Sequence, residues 1–202
     1  MAVEETTVRD EVARRAIKIR ALALDVDGVL TDASLHYGRQ GEVLKTFSAR
    51  DGFGIKAAQL EGLAVAVLSG RVAPPLKARL ADLCIPTQLV IQGSLDKGRD
   101  IVKLAKLLKL DLEEVAFVGD DIPDLPALAA VGLAVCPADA VPEVRASCQV
   151  VTGAAGGRGV VREAVELILR AQGRWDALVE HWRSGAVPER FGASARDSRR
   201  TE

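Results

Sequence analysis

Residues 21–32 read ALALDVDGVLTD. Four apolar residues stop at two carboxylates, Asp25 and Asp27, and Gly28 comes directly after them. A short run that is apolar throughout is the pattern of a strand buried on both faces of a parallel sheet. It predicts a strand over Leu22–Asp25. Open parallel sheets bind ligands beyond the carboxyl ends of their strands, so this strand would deliver its acids to a site. On an extended chain, residues two apart project to the same side, and Asp25 and Asp27 are expected to face together.

Outward from that strand the same rhythm repeats. Strands are predicted at Ala64–Ser69, Gln88–Gln92, Val115–Gly119, Leu133–Cys136 and Gln149–Thr152. Helices are predicted between them at Gly54–Leu60, Pro75–Leu83, Asp96–Leu108, Leu125–Val131 and Pro142–Ser147, with Pro74-Pro75 and Pro142 as helix openers. The alternation defines an α/β fold: a Rossmann-like parallel sheet with helices on both faces. Two segments depart from it. Residues 34–48 (SLHYGRQGEVLKTFS) read as a β-hairpin turning between Gly38 and Gly41, inserted after the first strand with no large cap domain. Residues 160–182 carry apolar side chains on helical spacing, with a bend at Gly173. The organisation expected is an N-terminal extension (1–18), one α/β domain (19–173, hairpin 34–48), and a C-terminal helix and flexible tail (174–202), frayed from about Ser184.

Composition narrows the chemistry. The chain has 202 residues, 49% apolar, with 27 basic against 28 acidic residues and a formal charge of -1. That length can bury a sizeable core, and the charge balance argues against a protein that coats nucleic acid. Two histidines, His36 and His181, supply no histidine-rich metal site or His-dependent triad, and 3% aromatic content offers little for base stacking. The mixed charges of the first twenty residues contain no signal-peptide core, and no apolar stretch is long enough to span a bilayer. A cytoplasmic chain is expected, with Cys84, Cys136 and Cys148 as buried reduced thiols.

The residues just past each strand make up the candidate site. Beyond the first stand Asp25 and Asp27, beyond the second Ser69-Gly70-Arg71, beyond the third Lys97, and beyond the fourth Gly119-Asp120-Asp121 with Asp124. Crowded carboxylates are unstable unless a cation or a shared proton offsets them, and a third from another strand points to a hard divalent ion such as Mg²⁺, which favours carboxylate, water and phosphate oxygens. Ser and Lys are donors suited to a phosphoryl group. The division of labour would then be one Asp attacking phosphorus, another protonating the leaving oxygen, and metal and Lys97 offsetting charge. Each element alone has an ordinary reading: a turn at DVDG, a helix N-cap region at Ser69, a helix cap at Asp120-Asp121, a solvated helix residue at Lys97. Their convergence on four strand ends is what those separate readings leave unexplained. The stretch GAAGGRG (153–159) fits neither GxGxxG before a helix nor a P-loop, which weighs against nucleotide binding.

DVDGV (25–29), LSG (68–70), Lys97 and GDDIPD (119–124) together resemble the four motifs of the haloacid dehalogenase superfamily. DVDGVLTD, KTFSARDGFGIK (45–56), SGR, GDDIPDLP and GGRGVVREAVELIL (156–169) resemble, more narrowly, the 3-deoxy-D-manno-octulosonate 8-phosphate phosphatase family, over about residues 19–172. The resemblance implies Mg²⁺-dependent hydrolysis of that sugar acid phosphate through an aspartyl-phosphate, in lipopolysaccharide precursor synthesis. It implies Asp25 as nucleophile, Asp27 as general acid/base whose backbone carbonyl also meets the metal, and Asp120 as a further ligand. Asp121 and Asp124 would stand behind the metal, with Ser69 and Lys97 on the phosphoryl group. It also implies a homotetramer whose hairpins pack together, with active sites near subunit interfaces. Arg50, Arg71 and Arg158 are candidate substrate-binding residues, because Arg forks suit a carboxylate as well as a phosphate. Three alternatives remain: another sugar acid phosphate such as a nine-carbon, sialic-acid type; a non-catalytic oligomerisation module; and a phosphoryl-accepting regulator, which Asp27 argues against.

Overall fold

The computed structural model describes residues 2–185. Helix α1 (Ala2–Lys18) leads into β1 (Ala21–Leu24), then the hairpin β2 (His36–Gly38) and β3 (Gly41–Leu44). Next come α2 (Ala49–Leu60), β4 (Ala64–Ser69), α3 (Pro74–Asp82), β5 (Val90–Gln92), α4 (Lys97–Leu108) and β6 (Val115–Val118). The chain closes with α5 (Leu125–Ala130), β7 (Leu133–Cys136), α6 (Pro142–Ser147), β8 (Val150–Val151), α7 (Val160–Ala171) and α8 (Trp175–Arg183). The main sheet is parallel, in the order β5-β4-β1-β6-β7-β8. From β1 the chain winds outward to β4 and β5, then returns to the other side of β1 with β6. The direction of winding reverses there, which opens a crevice above the carboxyl end of β1.

Strand alternation sorts the core into two layers. Leu22, Leu24, Val65, Val67, Ala116, Val118, Leu133 and Val135 face one way, onto α2, α3 and α7. Ala21, Ala23, Ala66, Leu68, Phe117 and Ala134 face the other, onto α4, α5 and α6. Ala16 of α1 and Trp175 and Leu178 of α8 are buried in the first layer, so both terminal helices share the core of the sheet.

Several boundaries differ from the sequence reading, for physical reasons. Strand β1 ends at Leu24 rather than Asp25. Helix α2 starts at Ala49 rather than Gly54, because the Ser48 side chain accepts hydrogen bonds from the Arg50 and Asp51 amides and caps it. Gly52 and Gly54 sit inside this helix as contact points. A Cβ at Gly54 would lie 2.9 Å from the Arg162 Cα, so the missing side chain is what lets α2 pack against α7. Cys84 is exposed, not buried. It lies just past α3 with φ 55°, in the left-handed turn that ends the helix, and Ile85 takes the inward place. The segment from Ala186, which includes nearly all of the stretch expected to fray, lies outside the described residues.

Asp51 ties α2 to α7. Its buried carboxylate accepts from the Gly159 amide at 3.0 Å and the Arg162 amide at 2.9 Å, the first turn of a helix whose preceding residue offers no capping side chain. Asp51→Ala would leave two amides without their acceptor and is expected to destabilise the chain by about 2–4 kcal/mol, with Asp51→Asn losing less. Urea denaturation measures this, and an unchanged midpoint for Asp51→Ala would remove the carboxylate from the account of how α7 is anchored.

Candidate active site

The crevice above β1 is built from strand ends, as parallel-sheet topology requires. Immediately after β1, the buried Asp25 carboxylate meets the Lys97 ammonium at 2.7 Å. Lys97 opens α4, where the Asp96 side chain caps the helix by accepting from the Arg99 amide. Its ammonium also lies 2.5 Å from the Asp124 carboxylate. The far Asp124 oxygen accepts from the amides of Asp120 (2.9 Å) and Asp121 (3.3 Å), which folds the loop after β6 over itself. Two glycines make room for the acids. A Cβ at Gly119 would collide with Asp124, and one at Gly28, where φ is 89°, would lie 2.0 Å from an Asp120 oxygen.

Asp25, Asp120 and Asp124 each offer an oxygen, and these oxygens lie within 4.8 Å of one another. One Asp120 oxygen, Oδ1, is buried without a hydrogen-bond partner. Burial and the charges of Asp25 and Asp124 push the Asp120 carboxyl up to about 8, and burial with Asp124 pushes Asp25 up to about 6 against the pull of Lys97. Burial works against the Lys97 ammonium, but Asp25 and Asp124 hold its pKa above the ordinary value. Three carboxylates against one ammonium leave negative charge uncompensated. An all-oxygen set with an orphaned buried oxygen fits a hard divalent cation.

Asp27 turns elsewhere. Because β1 stops at Leu24 and the chain bends through Gly28, the two-residue period does not carry past the strand, and the two acids take different partners. Asp27 pairs through Oδ1 with Lys45 and faces Arg71 at 3.5 Å through Oδ2. Its carboxylate is therefore outside the Asp25/Asp120/Asp124 cluster, which leaves its backbone carbonyl as the group expected to meet the metal. Ser69 is buried at the end of β4, and its hydroxyl accepts from the Arg71 amide at 3.2 Å. It is not the cap of α3, whose N-cap is Ala73.

The structure separates the three arginines. Arg71 reaches Asp27, Glu42 (3.2 Å) and the Tyr37 hydroxyl (2.7 Å). Arg50 and Arg158 instead line a neighbouring cavity of about 360 Å³ with Asp32, Phe47 and Ser48, and none of the clustered carboxylates lines it. Arg158 is 71% exposed and pairs with Asp32 at 3.4 Å. Asp121, expected behind the metal, is exposed and accepts from the Ile122 amide at 2.7 Å, capping the short turn before α5. Asp124, expected beside it, is an integral member of the carboxylate cluster. Glu42 and Lys45 also border the site; the sequence does not single out Glu42, and Lys45 enters it only as the first residue of KTFSARDGFGIK. Their signal is faint, because two charged residues in a hairpin normally read as solvated.

Comparison with known proteins points to one family. Residues 86–163 match the family model for haloacid dehalogenase-like hydrolases. The 3-deoxy-D-manno-octulosonate 8-phosphate phosphatase of Yersinia pestis is 45% identical over 165 residues, covering 82% of this chain and 87% of that protein. The crystal structure of the corresponding phosphatase from Moraxella catarrhalis, in complex with magnesium, phosphate and KDO, superposes with a TM-score of 0.82 at 35% identity, over 86% of this chain and 98% of that one. The cobalt-bound phosphatase from Haemophilus influenzae gives a TM-score of 0.78 at 42% identity, over 81% and 94%. With its fold, its carboxylate cluster and this degree of identity over most of its length, the chain belongs to the 3-deoxy-D-manno-octulosonate 8-phosphate phosphatase family of the haloacid dehalogenase-like hydrolases.

Proposed function

We propose that this chain is a Mg²⁺-dependent phosphomonoesterase that hydrolyses 3-deoxy-D-manno-octulosonate 8-phosphate to the free sugar acid and phosphate, a step in lipopolysaccharide precursor synthesis. The observation that carries the reading is the Asp25–Lys97–Asp124–Asp120 constellation at the reversal point of the sheet, in a chain 45% identical to a phosphatase of that name. Asp25, Asp120 and the Asp27 carbonyl would hold the metal, with Asp124 beside them. Once bound, the ion supplies positive charge that screens the crowded carboxylates and the phosphoryl oxygens.

The chain's own residues divide the remaining work. Lys97 and the Ser69 hydroxyl hold the phosphoryl oxygens. An Asp25 oxygen attacks phosphorus as the bond to the sugar oxygen breaks, and Asp27 passes a proton to that oxygen. Water, giving its proton back to Asp27, then attacks phosphorus and breaks the Asp25–phosphorus bond, which returns both acids to their starting state. Arg71, which lies next to Asp27, would meet the leaving sugar acid. Arg50 and Arg158 would act from the adjoining cavity if the sugar extends that far.

Residues 19–173 would form the catalytic unit, working in the cytoplasm; no described helix is long and apolar enough to cross a membrane. A homotetramer is supported by the apolar side chains that the hairpin and nearby loops expose, including Leu35, Tyr37, Val43, Leu44 and Leu95. Light scattering coupled to size exclusion checks that state.

Phosphate release from the eight-carbon substrate and a panel of other sugar phosphates, with Mg²⁺ and with chelator, tests the function. Release that requires metal and strongly favours the eight-carbon acid is expected. Preference for a nine-carbon acid would keep the reaction and discard the sugar. A folded, metal-bound chain that releases nothing would leave an oligomerisation module.

A further inference from the structure

Four alternating charges close a ring on the hairpin side of the crevice. Asp27 Oδ1 pairs with the Lys45 ammonium, Lys45 with Glu42 Oε1 at 2.7 Å, Glu42 Oε2 with the Arg71 guanidinium at 3.2 Å, and Arg71 Nε faces Asp27 Oδ2 at 3.5 Å. The links are unequal. The Lys45 side chain is 1% exposed and that of Glu42 4%, so this half of the ring is sealed from water. Arg71 is 38% exposed, and its Nε is left without a hydrogen bond. Its firmest tie is to the Tyr37 hydroxyl, outside the ring. A desolvated ammonium between two carboxylates is costly to displace, whereas a long, part-exposed contact is worth little. The ring is therefore closed firmly at Oδ1 of Asp27 and loosely at Oδ2.

We infer that Lys45 is a positioning residue for the reaction: it clamps Asp27 Oδ1 so that Oδ2, once Arg71 turns to the sugar acid, is the oxygen that hands the proton to the leaving group. The inference rests on the phosphatase reading above. In it the hairpin does more than overhang the site: β3 ends at Leu44, so its next residue brings the clamp to the acid. Glu42 sets a second carboxylate against the same buried ammonium, at 2.7 Å.

A clamp on the acid has a signature that a purely structural residue lacks. An alkyl phosphate needs its leaving oxygen protonated, and an aryl phosphate such as p-nitrophenyl phosphate does not. The ratio kcat/KM reports events through departure of the leaving group. Lys45→Met is expected to lower kcat/KM for the sugar phosphate by about 10²–10³-fold and for p-nitrophenyl phosphate by less than about 10-fold. Asp27→Asn should show the same selective loss, and Lys45→Met added to Asp27→Asn should cost nothing further, because both remove one function. Equal losses on both substrates, or additive losses in the double variant, would overturn the inference and make Lys45 a structural residue. Should Lys45→Met fail to fold, Lys45→Gln, which keeps a donor without the charge, carries the same comparison. If the native chain hydrolyses neither substrate, it is the phosphatase reading that fails, and that is seen before any variant is made.

Discussion

Asp25→Asn will release phosphate at least about 10⁴-fold more slowly than the native chain and, in chelator at pH 7, will melt at the same temperature or higher. The two halves of this result come from one geometry. The substitution removes the proposed nucleophile, and an amide of the same shape cannot form the aspartyl-phosphate. It also removes a charge the fold resists: burial and Asp124 push the Asp25 carboxyl up to about 6. A carboxyl whose pKa is raised on folding costs the folded chain stability as pH climbs from the ordinary carboxylate range through that value, and the cost persists above it. At pH 7 the neutral amide escapes that cost, while Lys97 keeps Asp124 as its partner. Phosphate release and calorimetry on the same preparation read both halves. A variant that loses activity and also melts well below the native chain would mean that Asp25 holds the fold together, and its loss of activity would then say nothing about nucleophilic attack.

How far the sequence carries can be judged at particular residues. Residues 21–24 are apolar throughout because both faces of β1 are covered, so the strand, its parallel neighbours and the rim at its end are legible. The acids are legible as a set because each ends a strand. Their pairing is not: it depends on where β1 stops, at Leu24 rather than at the predicted Asp25, and on the turn at Gly28 that sends Asp27 toward the hairpin. The pairing of Lys45 and Glu42 escapes notice for a related reason, since only the third dimension shows that a hairpin lysine is sealed against a strand-end acid. Helix α2 reads short, from Gly54, while its first turn is set by the Ser48 cap, and only the neighbouring α7 explains the glycine at 54. Helix α1 reads as an extension, yet its Ala16 is buried in the shared core. Local pattern predicts what one segment does by itself; these cases turn on what a second segment supplies.

Lys97→Met is the second large effect, and here stability and activity fall together. The native ammonium lies 2.7 Å from Asp25 and 2.5 Å from Asp124, buried with both. Methionine keeps the length of the stem and deletes the charge, leaving Asp25, Asp120 and Asp124 with no ammonium between them. Removing one partner from a buried ion pair typically costs about 3–5 kcal/mol, which for a chain of this size lowers the melting temperature by roughly 6–20 °C. The sign is opposite to that for Asp25→Asn because one change adds to the uncompensated negative charge and the other subtracts from it. Saturating Mg²⁺ should narrow the gap between Lys97→Met and the native chain, since the cation supplies the variant with positive charge that the native chain already has in Lys97. Turnover should not recover with it: losing one preorganised donor to the transferring phosphoryl group is worth about 10²–10³-fold in kcat. Melting curves with and without metal, set beside kcat at saturating metal, separate the two roles. Full recovery of turnover with Mg²⁺ would reduce Lys97 to a counter-charge that metal can replace. A Lys97→Met chain as stable as the native one in chelator would mean that the three carboxylates already share a proton and never needed the ammonium to fold.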